Sequence, residues 1–343
     1  MDTMLDCCCG IDLHKDSIVA CILTGAPDTA PETLMTTFGT QYDDLTALAV
    51  WLDTHGCRHL AMESTGAYWM PIYNRLTELG ADCIVVNAQR IKNVPGRKTD
   101  WNDAQWIAHL YRHGLLQASF VPEREQQILR GYTRALESLS ADRTREKNRV
   151  EKLLQSEGFK LSSVLEDIFG TTGRRLLDAL VGKGKATFRD VENSRESACK
   201  HSAKEIAIAI RGEMRPAIRK LLAFKLRQID LYNSQITELQ SLIDEVVTPY
   251  EAAVEIVDSV PGIARHAAVQ IVAEIGADMD TFQSAEHLAS WAGLSPRNAQ
   301  SAGKKSPPVP CPATNTSSVS STNAPGPAPA PEAPPNYETG SGR

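Results

Sequence analysis

The chain has 343 residues, enough for about two domains, and 42% of them are hydrophobic, enough to build real cores. No apolar run approaches the roughly 18 residues that span a membrane, and the first nine residues lack the basic-then-apolar order of a secretory signal, so a cytoplasmic protein is expected. A net charge of -6 argues against a generally basic nucleic-acid coat and leaves room for a local basic face.

The first segment reads as strands. Residues 7–13 and 17–23 are short and apolar, joined by His14-Lys15-Asp16, which is a hairpin signal. Within the first strand, Cys7-Cys8-Cys9 read as strand residues; eight cysteines without a Cys-x-x-Cys pair give no zinc signature. A third strand is predicted over 33–38. Next come a helix from Asp43 or Asp44 to His55, a strand over 59–63, a helix over 68–79, a strand over 82–87 and a helix over 102–113. Strands followed by alternating helix and strand predict a mixed sheet covered by helices, over about residues 5–118.

Residues 122–250 read as helical. The stretch 122–158 interleaves Arg and Lys with acids, which suits either a salt-bridged solvated face or contacts to a nucleic-acid backbone. Ile229, Tyr232, Ile236, Leu239, Ile243 and Val246 alternate spacings of three and four. This is a heptad seam, fitting a coiled coil or a core-facing helix of a small bundle. Between these helices, residues 159–215 hold two short amphipathic segments of unreadable arrangement. A third unit follows over 251–306, with a Pro261-Gly262 turn leading into a helix that ends near Gly276, then a second helix over 284–291. Backbone N–H groups at such a turn can meet a phosphate, a weak signal by itself. Residues 307–343 are rich in Pro, Ala, Ser and Thr and are expected to be disordered.

Four acids sit where strands end or helices begin: Asp12, Glu63, Asp100 and Asp103, the last two three apart and on one helix face. Hard divalent cations take oxygen ligands, and two ions about 4 Å apart can clamp the attacking and leaving oxygens of a phosphodiester. Each acid alone would also serve as a turn, strand-end or helix-start residue.

Three motifs carry a resemblance: Gly10-Ile11-Asp12-Leu13-His14-Lys15, Met62-Glu63-Ser64-Thr65-Gly66-Ala67-Tyr68-Trp69 and Lys98-Thr99-Asp100-Trp101-Asn102-Asp103-Ala104. In this order they resemble the DEDD-type insertion-sequence transposases, the bridge-RNA-guided recombinases. The resemblance implies a RuvC-like, ribonuclease-H-like first domain in which Asp12, Glu63, Asp100 and Asp103 are catalytic and bind magnesium. The C-terminal stretches 257–276, 288–296 and Ser301-Ala302-Gly303-Lys304 resemble the family's second domain. There the resemblance implies that Ser301 is a nucleophile that joins covalently to DNA, with Ser295 and Ser306 as rival serines. Arg297, Lys304 and Lys305 would help hold the phosphate. Also implied are a structured guide RNA that pairs with donor and target DNA, and a dimer or tetramer.

The resemblance covers about 7–305, after which the chain departs from the family. In a shifted frame, the codons allowed for residues 312–321 permit Gly-Asn-Lys-His-Leu-Lys-Arg-Val-Leu, the basic segment expected there. The tail is therefore expected to be a frameshift product, leaving the C-terminal domain incomplete. Three readings follow: a transposase cutting and rejoining DNA, a nuclease that cuts DNA junctions through the carboxylates alone, or a non-catalytic nucleic-acid-binding remnant.

Overall fold

The computed structural model describes residues 5–26, 29–64, 66–88, 91, 102–282, 284–292, 294, 300–301 and 304–305, the last two pairs by their backbone only. Asp100, Arg297 and the expected disordered tail lie outside the described residues. Met1–Ala277 forms one compact unit and Asp278–Arg343 another.

The first unit opens with β1 (Cys7–Leu13), β2 (Ile18–Thr24) and β3 (Glu32–Phe38), followed by α1 (Tyr42–Thr54), β4 (His59–Glu63), α2 (Trp69–Glu78), β5 (Asp82–Val86) and α3 (Asp103–Arg112). The strands lie in the order β3-β2-β1-β4-β5. β1 pairs antiparallel with β2, and β2 with β3, while β4 runs parallel to both β1 and β5. This is the mixed sheet with helices expected from the sequence, in ribonuclease-H-like order. Within the strands, side chains alternate between the two faces. Cys9, Ile11 and Leu13 join Ile18, Ala20, Ile22, Leu60 and Met62 under α1 and α2. On the opposite face, Cys8, Cys21 and Leu23 meet Ala104 and Ala108 of α3. Cys8 and Cys9 are fully buried, and burial pushes the Cys8 thiol up to about 12, so they pack as small apolar residues.

Two long helices follow, α4 (Arg124–Ser156) and α8 (Pro216–Val246). They run antiparallel: Lys225 Nζ meets Glu146 at 2.9 Å and Arg143 Nη1 meets Asn233 at 3.1 Å, while Leu129 and Leu136 share a core with Ile236 and Ile243. The heptad seam is therefore filled within the chain. Between the long helices come α5 (Thr171–Lys183), α6 (Phe188–Ser194) and α7 (Ala203–Ala209), which close a core around Leu176, Leu180, Val191 and Ile206 at one end of the pair. At the other end, α9 (Glu251–Asp258) and α10 (Arg265–Ile275) pack through Val254, Val269 and Val272. α4 also caps α10: Gln126 donates to the Ala273 carbonyl, and Arg134 grips the Glu274 carboxylate with two hydrogen bonds of 2.7 Å. Reciprocal amide bonds between Asn74 and Gln127 join α2 to α4.

The second unit holds α11 (Ala285–Trp291), with Phe282 edge-on to Trp291, and a short hairpin of β6 (Gln300–Ser301) and β7 (Lys304–Lys305). Among the described residues no helix is long and apolar enough to cross a membrane.

Candidate carboxylate site

Register brings the first two acids together. Ile11 pairs with Met62 in the parallel β1–β4 ladder, so Asp12 and Glu63, one residue further along, stand level at the C-terminal ends of neighbouring strands. Alternation places Asp12 on the face of Cys8 and Gly10, and Glu63 on the face of Ala61. Both belong to the side of the sheet that α3 covers, where Ala61 packs with Trp106, Ile107 and Leu110.

Gly10 sets the height of α3 above the sheet. A Cβ at this position would collide with the Ala104 carbonyl oxygen and the Ala108 amide nitrogen, so only glycine lets the first two turns of α3 lie on β1. Asn102 starts that helix, its side chain accepting from the Ala104 amide at 3.0 Å. Asp103 is the first helical residue, immediately before the contact with Gly10.

The three carboxylates sense one another. Burial pushes the Asp12 carboxyl above its ordinary range; His14 pulls it back, and the charges of Asp103 and Glu63 push it up further. His14 Nε2 lies 3.2 Å from Asp12 Oδ2. The His14 side chain is 61% exposed while that of Asp12 is 16% exposed, so the imidazole covers the carboxylate from the solvent side. Among the described residues no three His, Cys, Asp or Glu side chains close into a metal-ligand cluster. The donor chemistry nonetheless fits a hard divalent cation. The site's carboxylates are oxygen donors, and Asp12 is held where burial, with the charges of Asp103 and Glu63 added, raises its proton affinity.

The structure thus brings Asp12, Glu63 and Asp103 to one face of the sheet. In the second unit, Ser301 pairs with Lys304 and Gln300 with Lys305 across the β6–β7 hairpin, so the expected serine and both lysines share one turn of backbone. Gly10, Asn102 and His14 were not singled out from sequence.

A family profile described as "Transposase", of the IS110 DEDD type, matches residues 9–158. A second, described as "Transposase IS116/IS110/IS902 family", matches residues 254–311. Together they take in more than half of the chain. The chain belongs to the IS110-type insertion-sequence transposases. The transposase for insertion sequence element IS1533 of Leptospira borgpetersenii is 32% identical over 114 residues. That stretch is 32% of this chain and 32% of the relative, so the match spans about a third of the relative's length. Among solved structures, Thermus thermophilus RuvC is similar at a TM-score of 0.26 and 11% identity, covering 33% of this chain and 99% of that one. An exopolyphosphatase from Cytophaga hutchinsonii is similar at 0.21 and 16% identity, over 66% of this chain and 90% of that one. At these scores neither likeness carries an argument about the site.

Proposed function

We propose that this transposase cuts and rejoins DNA strands for insertion-sequence movement, with Asp12, Glu63, Asp100 and Asp103 holding divalent cations, magnesium by preference. The observation that carries the reading is the half-buried Asp12 carboxyl, pressed by the charges of Glu63 and Asp103 on the face that α3 covers. A bound cation would neutralise that repulsion and polarise the scissile phosphate. Asp12 and Glu63 sit on strand ends and Asp103 on a helix start, rigid supports that hold ligands in place better than loops do. His14 screens Asp12 from solvent and, when protonated, pairs with it.

In this reading the Ser301 hydroxyl attacks a phosphodiester. A bond forms between Ser301 Oγ and phosphorus, the bond from phosphorus to one deoxyribose oxygen breaks, and the serine proton passes to the departing oxygen. Rejoining is the reverse, with a new deoxyribose hydroxyl displacing the serine. Arg297, Lys304 and Lys305 supply positive charge to the phosphate. Following the family, a structured guide RNA would choose the DNA sequence by base pairing, with the protein acting as a dimer or tetramer. The seam of α8 is already filled by α4, so such assembly has to use another surface.

The tail is read as a frameshift product: from residue 307 the composition turns to Pro, Ala and Ser, and the second family match stops at residue 311. Sequencing the gene past the codon for Gly303 tests this, and a closed alternative frame would rule it out. With the frame open, the chain as written folds its sheet and binds cations but exchanges strands weakly. Activity is then measured in a frame-restored chain on DNA carrying the element's ends. Asp12→Asn should abolish cleavage, and Ser301→Ala should abolish the covalent protein–DNA adduct. Undiminished recombination by either variant refutes its role. Junction cutting that survives Ser301→Ala would instead favour a nuclease working through the carboxylates alone.

A further inference from the structure

Away from the carboxylates, α4, α8 and the first turn of α10 enclose a cleft of about 530 Å³. Leu136 and Ile236 line its base, both buried in the helix-pair core. The rim is polar: Ser140 and Arg143 from α4, Asn233, Thr237 and Gln240 from α8, and His266 from α10. The positions on α4 are spaced four and three apart and those on α8 three, one and three, so each set shares one face of its helix and the two face each other across the seam. No carboxylate lines the cleft among the described residues.

Arg143 differs from its neighbours on α4. Arg130 and Arg134 pair with Glu274, Arg145 with Asp142, and Arg149 with Glu146. Among the described residues Arg143 has only a neutral partner, the side-chain oxygen of Asn233, and its Nε is shielded from solvent with no acceptor. A guanidinium with no carboxylate partner, set in a cleft of amides, hydroxyls and an imidazole without any acid, is chemically complementary to an anion. The nearest acid in sequence, Asp142, is engaged by Arg145.

We infer that this cleft binds one phosphate of a nucleic-acid backbone, with Arg143 supplying the charge and Asn233, Gln240 and His266 flanking it. The inference rests on the transposase reading for the identity of the ligand, and adds a contact on the helix pair separate from the carboxylate site. Phosphodiesters come from duplex DNA or from structured RNA, and the experiment separates the two.

The test is binding of the full chain to a short labelled DNA duplex and to an RNA duplex of the same sequence, each over a salt series. Losing one phosphate contact lowers the slope of log affinity against log salt by about 0.9 on duplex DNA. Arg143→Gln should lower the slope by about that amount on the nucleic acid that occupies the cleft, and Arg143→Lys should restore most of it. Gln240→Glu places a carboxylate on the exposed rim without touching Arg143, and should lower the slope likewise even if Arg143→Gln folds poorly. A fall on DNA alone assigns the cleft to DNA, and a fall on RNA alone assigns it to RNA. Unchanged slopes on both, in folded Arg143→Gln and Gln240→Glu proteins, overturn the inference while leaving the transposase reading intact. A wild-type chain that binds neither overturns both.

Discussion

The α3 face of the sheet and the α4–α8 helix pair treat charge in opposite ways. On the sheet, burial and the charges of Asp103 and Glu63 raise the proton affinity of the Asp12 carboxyl, and His14 pulls it back. Along the helix pair, carboxylates and cations neutralise one another. Glu146 is buried, yet hydrogen bonds from Arg149 and Lys225 outweigh the cost of burial and hold its carboxyl below the ordinary range. A structural ion pair completes itself inside the fold, whereas a site is left incomplete for something that arrives later. By that criterion Arg143, whose partner is a neutral amide, stands out from the paired arginines of α4.

The comparison breaks most sharply at Asp12. Asp12→Asn should abolish DNA cleavage while leaving the melting temperature unchanged or higher, because the amide carries no charge to be desolvated or repelled. A fall in stability would put Asp12 with the structural pairs. Gly10→Val tests how the sheet site is positioned: with Ala104 and Ala108 backbone in the way, α3 has to lift. A loss of about 3 kcal/mol in urea unfolding is expected, at the upper end of overpacking costs. Glu146→Gln leaves Lys225 without its carboxylate. The Lys225 side chain keeps 18% exposure, so the cost should be about 2 kcal/mol, below that of a fully buried broken pair.

The same glutamate gives a pH dependence of definite sign. Its folded-state proton affinity is lowered, so its stabilisation is present above the ordinary value of 4.5 and is lost as pH falls from there through the folded value. Acid titration of stability should therefore be shallower in Glu146→Gln than in wild type, and parallel curves would count against the pairing. The smallest effect belongs to Asn102→Ala, which removes the cap of α3 and should cost about 1 kcal/mol.

Much of the sheet was legible because its signals are local. The predicted strand over 59–63 is β4, and the Asp43 start lies within one residue of α1, where Asp44 accepts from the Gln41 amide. The acids Asp12, Glu63 and Asp103 were legible as strand ends and a helix start. What joins them was not, because the approach of α3 to Gly10 spans almost a hundred residues of sequence and leaves no periodic trace. In the helices, the heptad seam of α8 was plain but its partner was not: spacing reports that a face is buried, not which chain buries it. The Arg143 cleft was the least legible of all. In sequence Arg143 is one arginine among several on a charged helix, and only the pairing of its neighbours singles it out.

The measurement that bears most directly on the central claim is calorimetric titration of magnesium and manganese into the wild-type chain and into Asp12→Asn. The account predicts that wild type binds divalent cation with a rise in melting temperature, and that Asp12→Asn loses both effects while remaining folded. Equal binding by the two proteins, or none by the folded wild type, would contradict a cation site built on Asp12, Glu63 and Asp103.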